Sequence, residues 1–353
     1  MSDIKFVNMD IEFGNQRVSN FVASMMSGQS ITIVGDKNSG RDTLIQGILG
    51  FAPLTAGSIL ANEEPIHTLP TNQRKIVKIG SDWGLFPHLS IEDNVSFGLR
   101  FRKLNKSEIS EQKETTLKVF SLLDKSKQFC AQLKDIDKFK VALARAAAIE
   151  PHLIILDDPF QAFDVNTRLD YLKTVSELQR KAGLTLLFST NSPTDYMGIS
   201  NKTAVLANGY LEQYDDTQKV YENPSSVLSA KATGEINCVK AQVVMGGDFT
   251  MFSSKLGGLN LRVSKKLRVE SEVSVMIRPE YTRIVPLGET EDARNVFSAK
   301  IKSIQFMSGF RYVLLKTEDD EPFLSIQNME HAFNIDDDVD VILTKDIYPI
   351  MTR

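Results

Sequence analysis

The chain has 353 residues, enough for two domains that each bury a core, and its 42% hydrophobic and 24% charged residues exclude disorder over most of its length. A net charge of −4 excludes the basic profile of a general nucleic-acid binder. Cys130 and Cys238 lie far apart with no CxxC or His-rich neighbourhood and the four histidines have no metal-ligand spacing, so two free thiols in a reducing compartment are expected.

The opening "MSDIKFVNMD" is charged and lacks a long apolar core, so no signal peptide is expected. No apolar run has bilayer-spanning length, and a membrane role would have to come through a partner. "QSITIVG" (29–35) predicts a buried strand. "GDKNSGRDTL" (35–44) follows with the outline of a phosphate loop: Gly35, Gly40 and a helix from about Thr43 that ends at Gly50. The usual pattern is G-x-x-x-x-G-K-[ST], and here Arg41 stands for the lysine and Asp42 for the hydroxyl residue.

Further along, 107–129 is polar and predicted helical, projecting as part of a small subdomain, and "KFKVALARAAAIEP" (138–151) predicts an Ala-rich helix stopped by Pro151. "HLIILDD" (152–158) and "LTLLFST" (184–190) are continuous apolar runs of the kind that form central parallel strands covered by helices on both faces. After about residue 230 the pattern changes to short alternating stretches such as "INCVKAQVVM" and "DVDVILTK", which predict a small barrel or sandwich. No internal repeat is evident.

Asp157 and Asp158 end the predicted strand in "LIILDDPFQAFD", where an aspartate can hold Mg²⁺ through water beside bound phosphates. "VALARAAAIEPHLIILDDP", "FPHLSIEDNVSFGLR" (86–100) and "STN" (189–191) complete a set that resembles the ATPase subunit of an ATP-binding cassette (ABC) importer. The tail stretches "ATGEINCVKAQV" (232–243), "MIRPE" (276–280) and "NVFSAKIKSIQFMSGFRYVLL" (295–315) resemble the C-terminal oligomer-binding-like (TOBE) barrel of such subunits. "GEIN" and "FGLRFRKLNKSEI" look most like the spermidine/putrescine subfamily, with the ferric-iron subfamily close behind. The resemblance implies an α/β P-loop ABC ATPase domain over 1–230, with a helical subdomain at about 90–135, and a small all-β domain over 231–353.

By the same resemblance, ATP and Mg²⁺ would be held by Gly35, Asn38, Ser39, Gly40, Arg41, Asp42, Thr43 and Ser81, with Phe13 stacking on adenine and Asp157 and Asp42 on the metal. Phe13 at a strand end also suits plain core. The departures run in one direction. Arg41 keeps the lysine charge but is a bulky planar fork. Asp42 can ligate a metal or occupy the anion hole itself, and a carboxylate about 5 Å from a phosphate charge costs about 3 kcal/mol per charge pair at an effective dielectric near 20. Thr43 does not replace the hydroxyl, because one helical residue turns it by about 100°. Ser81 stands at the glutamine that senses γ-phosphate and is too short for that span. Asp158 replaces the catalytic glutamate one methylene short, and Asn191 replaces the histidine. The LSGGQ signature falls on Leu133, Lys134, Asp135, Ile136 and Asp137, which adds bulk and like charge where glycines would meet the opposing subunit's phosphate.

Each residue alone has an ordinary structural reading: Asp157 as a strand-end cap, Asp42 as a helix N-terminal charge, "LKDID" as a solvated turn. The ordered set is what points to impaired catalysis. Three functions remain open: a non-catalytic ABC subunit binding nucleotide weakly or not at all, an active importer ATPase using the substituted residues, and a soluble ABC-type protein without a permease. The expected partners are permease subunits docked at residues 82–100 (with Trp83, Phe86 and Leu89), a substrate-binding protein indirectly, and a second ATPase. That second ATPase gives a homodimer or, as the altered motifs favour, a heterodimer with an intact subunit. No nucleic acid is expected, and the implied location is the cytoplasmic face of the inner or plasma membrane.

Overall fold

Apolar runs bounded by turn residues build the sheet of the first unit. Its elements are β1 (Ile4–Phe13), β2 (Gln16–Met25), β3 (Ser30–Val34), α1 (Arg41–Leu49), β4 (Leu54–Ala61), β5 (Glu64–Pro65), β6 (Ile76–Ile79), α2 (Ile91–Ser96), α3 (Lys106–Val119), α4 (Asp135–Ala148), β7 (Leu153–Asp157), α5 (Val165–Ala182), β8 (Leu186–Thr190), β9 (Lys202–Ala207) and β10 (Tyr210–Asp216). This computed structural model describes residues 2–190, 197–263, 266–290, 293–307, 309–328 and 333–352. The chain divides into two units, Met1–Val220 and Tyr221–Arg353.

The first unit carries one ten-stranded sheet in the order β5-β4-β1-β2-β10-β9-β3-β8-β7-β6. From β9 through β6 every pairing is parallel, whereas β1, β2 and β4 form an antiparallel wing. Every residue of β3 and of β8 is buried, as expected for strands covered on both faces. One core, with Phe139, Leu156 and Val175, forms under the helices, and a second, with Phe21, Ile33 and Ile48, fills the space between α1 and the antiparallel wing. Phosphate-binding sites in such sheets lie outside the carboxyl ends of the parallel strands, and here those are the ends of β3, β6, β7 and β8.

Two predicted helices differ in extent. The 107–129 stretch is helical only as far as Val119, starting from a capping box in which Asn105 and Glu108 bond each other's backbone. It breaks because Phe120 and Leu122 turn inward as core residues while Ser121 takes a left-handed φ of 55°. The Ala-rich helix begins at Asp135, before 138, and ends at Ala148, since Glu150 at φ 48° precedes Pro151. The last three residues of "LKDID" therefore form the first turn of α4.

The second unit is built from two five-stranded sheets whose described pairings are all antiparallel. Asn237–Met245 alternates buried and exposed residues, and Val243, Phe252, Ile277, Ile284 and Val341 join one core. Arg278 of "MIRPE" is buried and donates to the carbonyls of Tyr221, Ala230 and Glu235 and to the Thr233 hydroxyl, with its guanidinium 4.1 Å above the Tyr221 ring. Unit one is thus an α/β fold around one ten-stranded sheet, and unit two is all-β with two small antiparallel sheets.

Candidate nucleotide site

The loop after β3 turns on two glycines. A Cβ on Gly35 would lie 2.3 Å from Ser39 Oγ, and Gly40 sits at φ 92°, the left-handed region that favours glycine, as the N-cap of α1. The loop satisfies much of its own backbone. Asn38 N–H donates to Asp36 Oδ1 at 2.9 Å, and Ser39 N–H donates to the Asp36 carbonyl at 3.1 Å. Buried Ser39 donates its hydroxyl to that same carbonyl at 2.7 Å and accepts Arg41 N–H at 3.3 Å. Amides that an open phosphate loop would present to an anion are taken by Asp36 and Ser39.

Arg41 is only 8% exposed, and its Nη1 lies 3.1 Å from Asp158 Oδ2. Nη1 makes this ion-pair contact without an aligned hydrogen bond, and Nε is buried without a hydrogen-bond partner. Asp158 also accepts from Thr190, yet burial outweighs both contacts and pushes its carboxyl above the ordinary carboxylate range. Its neighbour Asp157 is fully engaged: Oδ2 pairs with Lys78 Nζ at 2.9 Å, and Oδ1 accepts from Ser189 Oγ at 2.8 Å. Lys78, which the sequence reading passed over, comes from the middle of β6, otherwise Ile, Val and Ile. A lysine inside an apolar strand was the available signal.

These groups share a cleft of about 460 Å³ that Ser81 and Arg145 also line. Asp42 faces solvent, with its side chain 65% exposed, and Nη2 of Arg41 lies 3.8 Å from it. Thr43 donates its hydroxyl to Gln16 Oε1 at 3.1 Å, toward the β1–β2 hairpin, where Phe13 is half-exposed at the tip of β1. The donor set expected for Mg²⁺ does not fit the metal as placed. Each Asp157 oxygen already has a partner, Asp42 is solvent-exposed at the cleft, and among the described residues no group of three or more His, Cys, Asp or Glu converges. Asn191 lies outside the described residues.

The signature-equivalent stretch stands at the N-terminus of α4, apart from this cleft's lining. Lys134 is the N-cap without a side-chain bond, and Asp135 and Asp137 occupy the first turn. Asp137 pairs with Lys125 at 2.8 Å and Asp135 with Lys138 at 3.0 Å, so the helix's own carboxylates complement its dipole. Leu133 is buried and Ile136 packs against the core.

The docking stretch requires a correction. Trp83 is buried, donates Nε1–H to the Pro159 carbonyl at 3.0 Å and stacks on Phe163, so it props the turn after Asp158 at the edge of the cleft and is not an exposed docking residue. Its own φ of 55°, followed by Gly84 at 55°, turns the indole inward. Phe86 and Leu89 are half-buried. Phe86 packs on Phe97 with ring centroids 4.4 Å apart, and Phe101, which touches Phe97, is 80% exposed.

The ABC transporter family model matches residues 18–161. The spermidine/putrescine import ATP-binding protein PotA of Hahella chejuensis is 30% identical over 292 residues, covering 82% of this chain and 80% of that one. The protein of the same name from Thermotoga maritima is 29% identical over 295 residues, covering 83% of this chain and 80% of its own length. The solved structure of cbiO1 from Clostridium perfringens, part of the ABC transporter complex cbiONQ, superposes with a TM-score of 0.55 over 62% of this chain and 89% of that one. At 22% identity it shows the fold alone. The chain belongs to the ATP-binding proteins of the ABC transporter family.

Proposed function

We propose that the chain is the ATP-binding-type subunit of an ABC import complex, working as the half with little or no hydrolysis beside an intact ATPase. The observation that carries this is the Arg41–Asp158 pair at 3.1 Å. A general base must reach the attacking water and a loop cation must face the phosphates, and here each is held against the other. The capped loop amides and the carboxylates at the start of α4 support the same reading.

The relatives named for spermidine/putrescine import favour a polyamine-like cargo over a ferric-iron-like one. The second unit would serve as the TOBE-like domain, with the functional boundary near residues 230 and 231. Among the described residues no helix is long and apolar enough to cross a membrane, and the exposed Phe97–Phe101 edge suits attachment to a permease on the cytoplasmic face. The substrate-binding protein would act through that permease.

Turnover of ATP by the purified chain tests the proposal. No release of phosphate above background is expected, with or without Mg²⁺. Turnover by the chain alone that Asp158→Ala abolishes would assign it an active ATPase instead.

A further inference from the structure

We infer that the Lys78 ammonium takes the place of a divalent cation in this cleft, which therefore binds the phosphate chain of a nucleotide without metal. The inference rests on reading the cleft as a nucleotide site with impaired hydrolysis and deepens that reading. In a metal-assisted site, the aspartate at the end of this strand holds the ion through water. Here each Asp157 oxygen already has a partner: Lys78 sits 2.9 Å from one and the Ser189 hydroxyl 2.8 Å from the other. A divalent ion entering beside Asp157 would have to expel Lys78 or sit against its charge. The second expected metal donor, Asp42, is turned to solvent.

Something else in the cleft calls for an anion. Arg41 is more than nine-tenths buried and lines the cleft; its Nη1 lies 3.1 Å from the Asp158 carboxylate, and its buried Nε has no hydrogen-bond partner. Buried donors of this kind are normally satisfied, and phosphate oxygens match the guanidinium fork. Lys78 and Arg145 line the same cleft, Arg145 with Nη2 donated to the Trp83 carbonyl, so three cations border one space beside four carboxylates. Asp42, Asp82, Asp157 and Asp158 line it too; Asp157 and Asp158 are the ones paired with Lys78 and Arg41, and Asp42 and Asp82 are exposed. One ammonium carries half the charge of a divalent ion, so the affinity will be lower than at a metal-assisted site. The absence of metal dependence, and not tight binding, is what identifies the site.

Titration calorimetry with ATP on the full chain, in EDTA and in excess Mg²⁺, tests this. The dissociation constants in the two buffers should agree within about threefold, and Lys78→Met should weaken metal-free binding by about tenfold or more. If Lys78→Met fails to fold because Asp157 loses its partner, Lys78→Met combined with Asp157→Asn removes the pair together and should show the same loss. Three results overturn the inference: Mg²⁺ tightening wild-type binding by about tenfold, metal-free affinity surviving the loss of Lys78, or no heat in either buffer at millimolar ATP. A silent titration without turnover would sink the metal-free site and leave impaired hydrolysis standing. Turnover of Mg-ATP by the chain alone would sink that reading itself.

Discussion

The Arg41 guanidinium rests 3.1 Å from the Asp158 carboxylate, so the residue at the loop-lysine position and the residue at the base position neutralise each other inside the protein. Removing one member leaves a buried charge unpaired. Asp158→Ala should therefore destabilise the first unit by about 3 kcal/mol in urea unfolding. Changing both, Arg41→Met with Asp158→Leu, should recover most of that loss. Additive single and double changes would mean that the two charges do not interact.

Burial holds the Asp158 carboxyl above its ordinary value of 3.8, which sets the sign of a pH effect. An acid raised on folding binds its proton more tightly in the native state. Its contribution to stability is present below the unfolded value and is lost as pH rises through the folded one. As pH rises above about 4, wild-type stability should fall relative to Asp158→Asn. Urea melts of the two chains at several pH values check this, and a difference growing in the opposite direction would show that Arg41 outweighs burial.

Substitution at Phe101 and at Trp83 should have contrasting effects on stability. Phe101→Asp, on the exposed edge, should change unfolding by less than about 0.5 kcal/mol and still release the chain from membranes carrying its permease. Trp83→Ala should cost about 4 kcal/mol, because the indole is buried and supports the turn at Pro159. Retention of Phe101→Asp on membranes, with an unchanged melt, would place the permease contact elsewhere.

In the second unit, Arg278→Met removes the donors held by the Tyr221, Ala230 and Glu235 carbonyls and the Thr233 hydroxyl. A loss of about 3 kcal/mol is expected from those unsatisfied groups, read as earlier hydrogen exchange across Asn237–Met245. Unchanged exchange there would show that the arginine is dispensable to the fold.

Much of the first unit was legible because its strands are continuous apolar runs and its loop has fixed spacing: Ser30–Val34, Gly35, Gly40 and Leu153–Asp157 fall as expected. Spacing also singles out Arg41, Asp42, Ser81 and Asp158 whatever residue stands there, and these four line one cleft. Lys78 carried a signal, a lysine within an apolar strand, but that signal does not tell whether the side chain faces solvent or an aspartate on the next strand. Trp83 is expected within the 82–100 docking stretch, but it is buried, and it and Gly84 are two successive left-handed residues. The break after Val119 was hidden in polar, helix-favouring sequence and comes from Phe120 and Leu122 reaching the core.

The central claim is that this chain is the non-hydrolysing half of a pair. In an ABC dimer each nucleotide lies between one subunit's loop and the other's signature, so pairing with an intact ATPase would create two unequal sites. One would set Arg41, Asp42, Ser81 and Asp158 against a good signature, and the other a good loop against "LKDID". The second keeps the partner's base and lysine and loses only contacts made across the interface. The most direct measurement is ATP turnover by the chain co-expressed with an intact ATPase from the same importer, with each catalytic acid changed in turn. Turnover should collapse when the partner's glutamate is replaced and should barely respond to Asp158→Ala. Collapse on Asp158→Ala, with the protein still folded, would contradict the account.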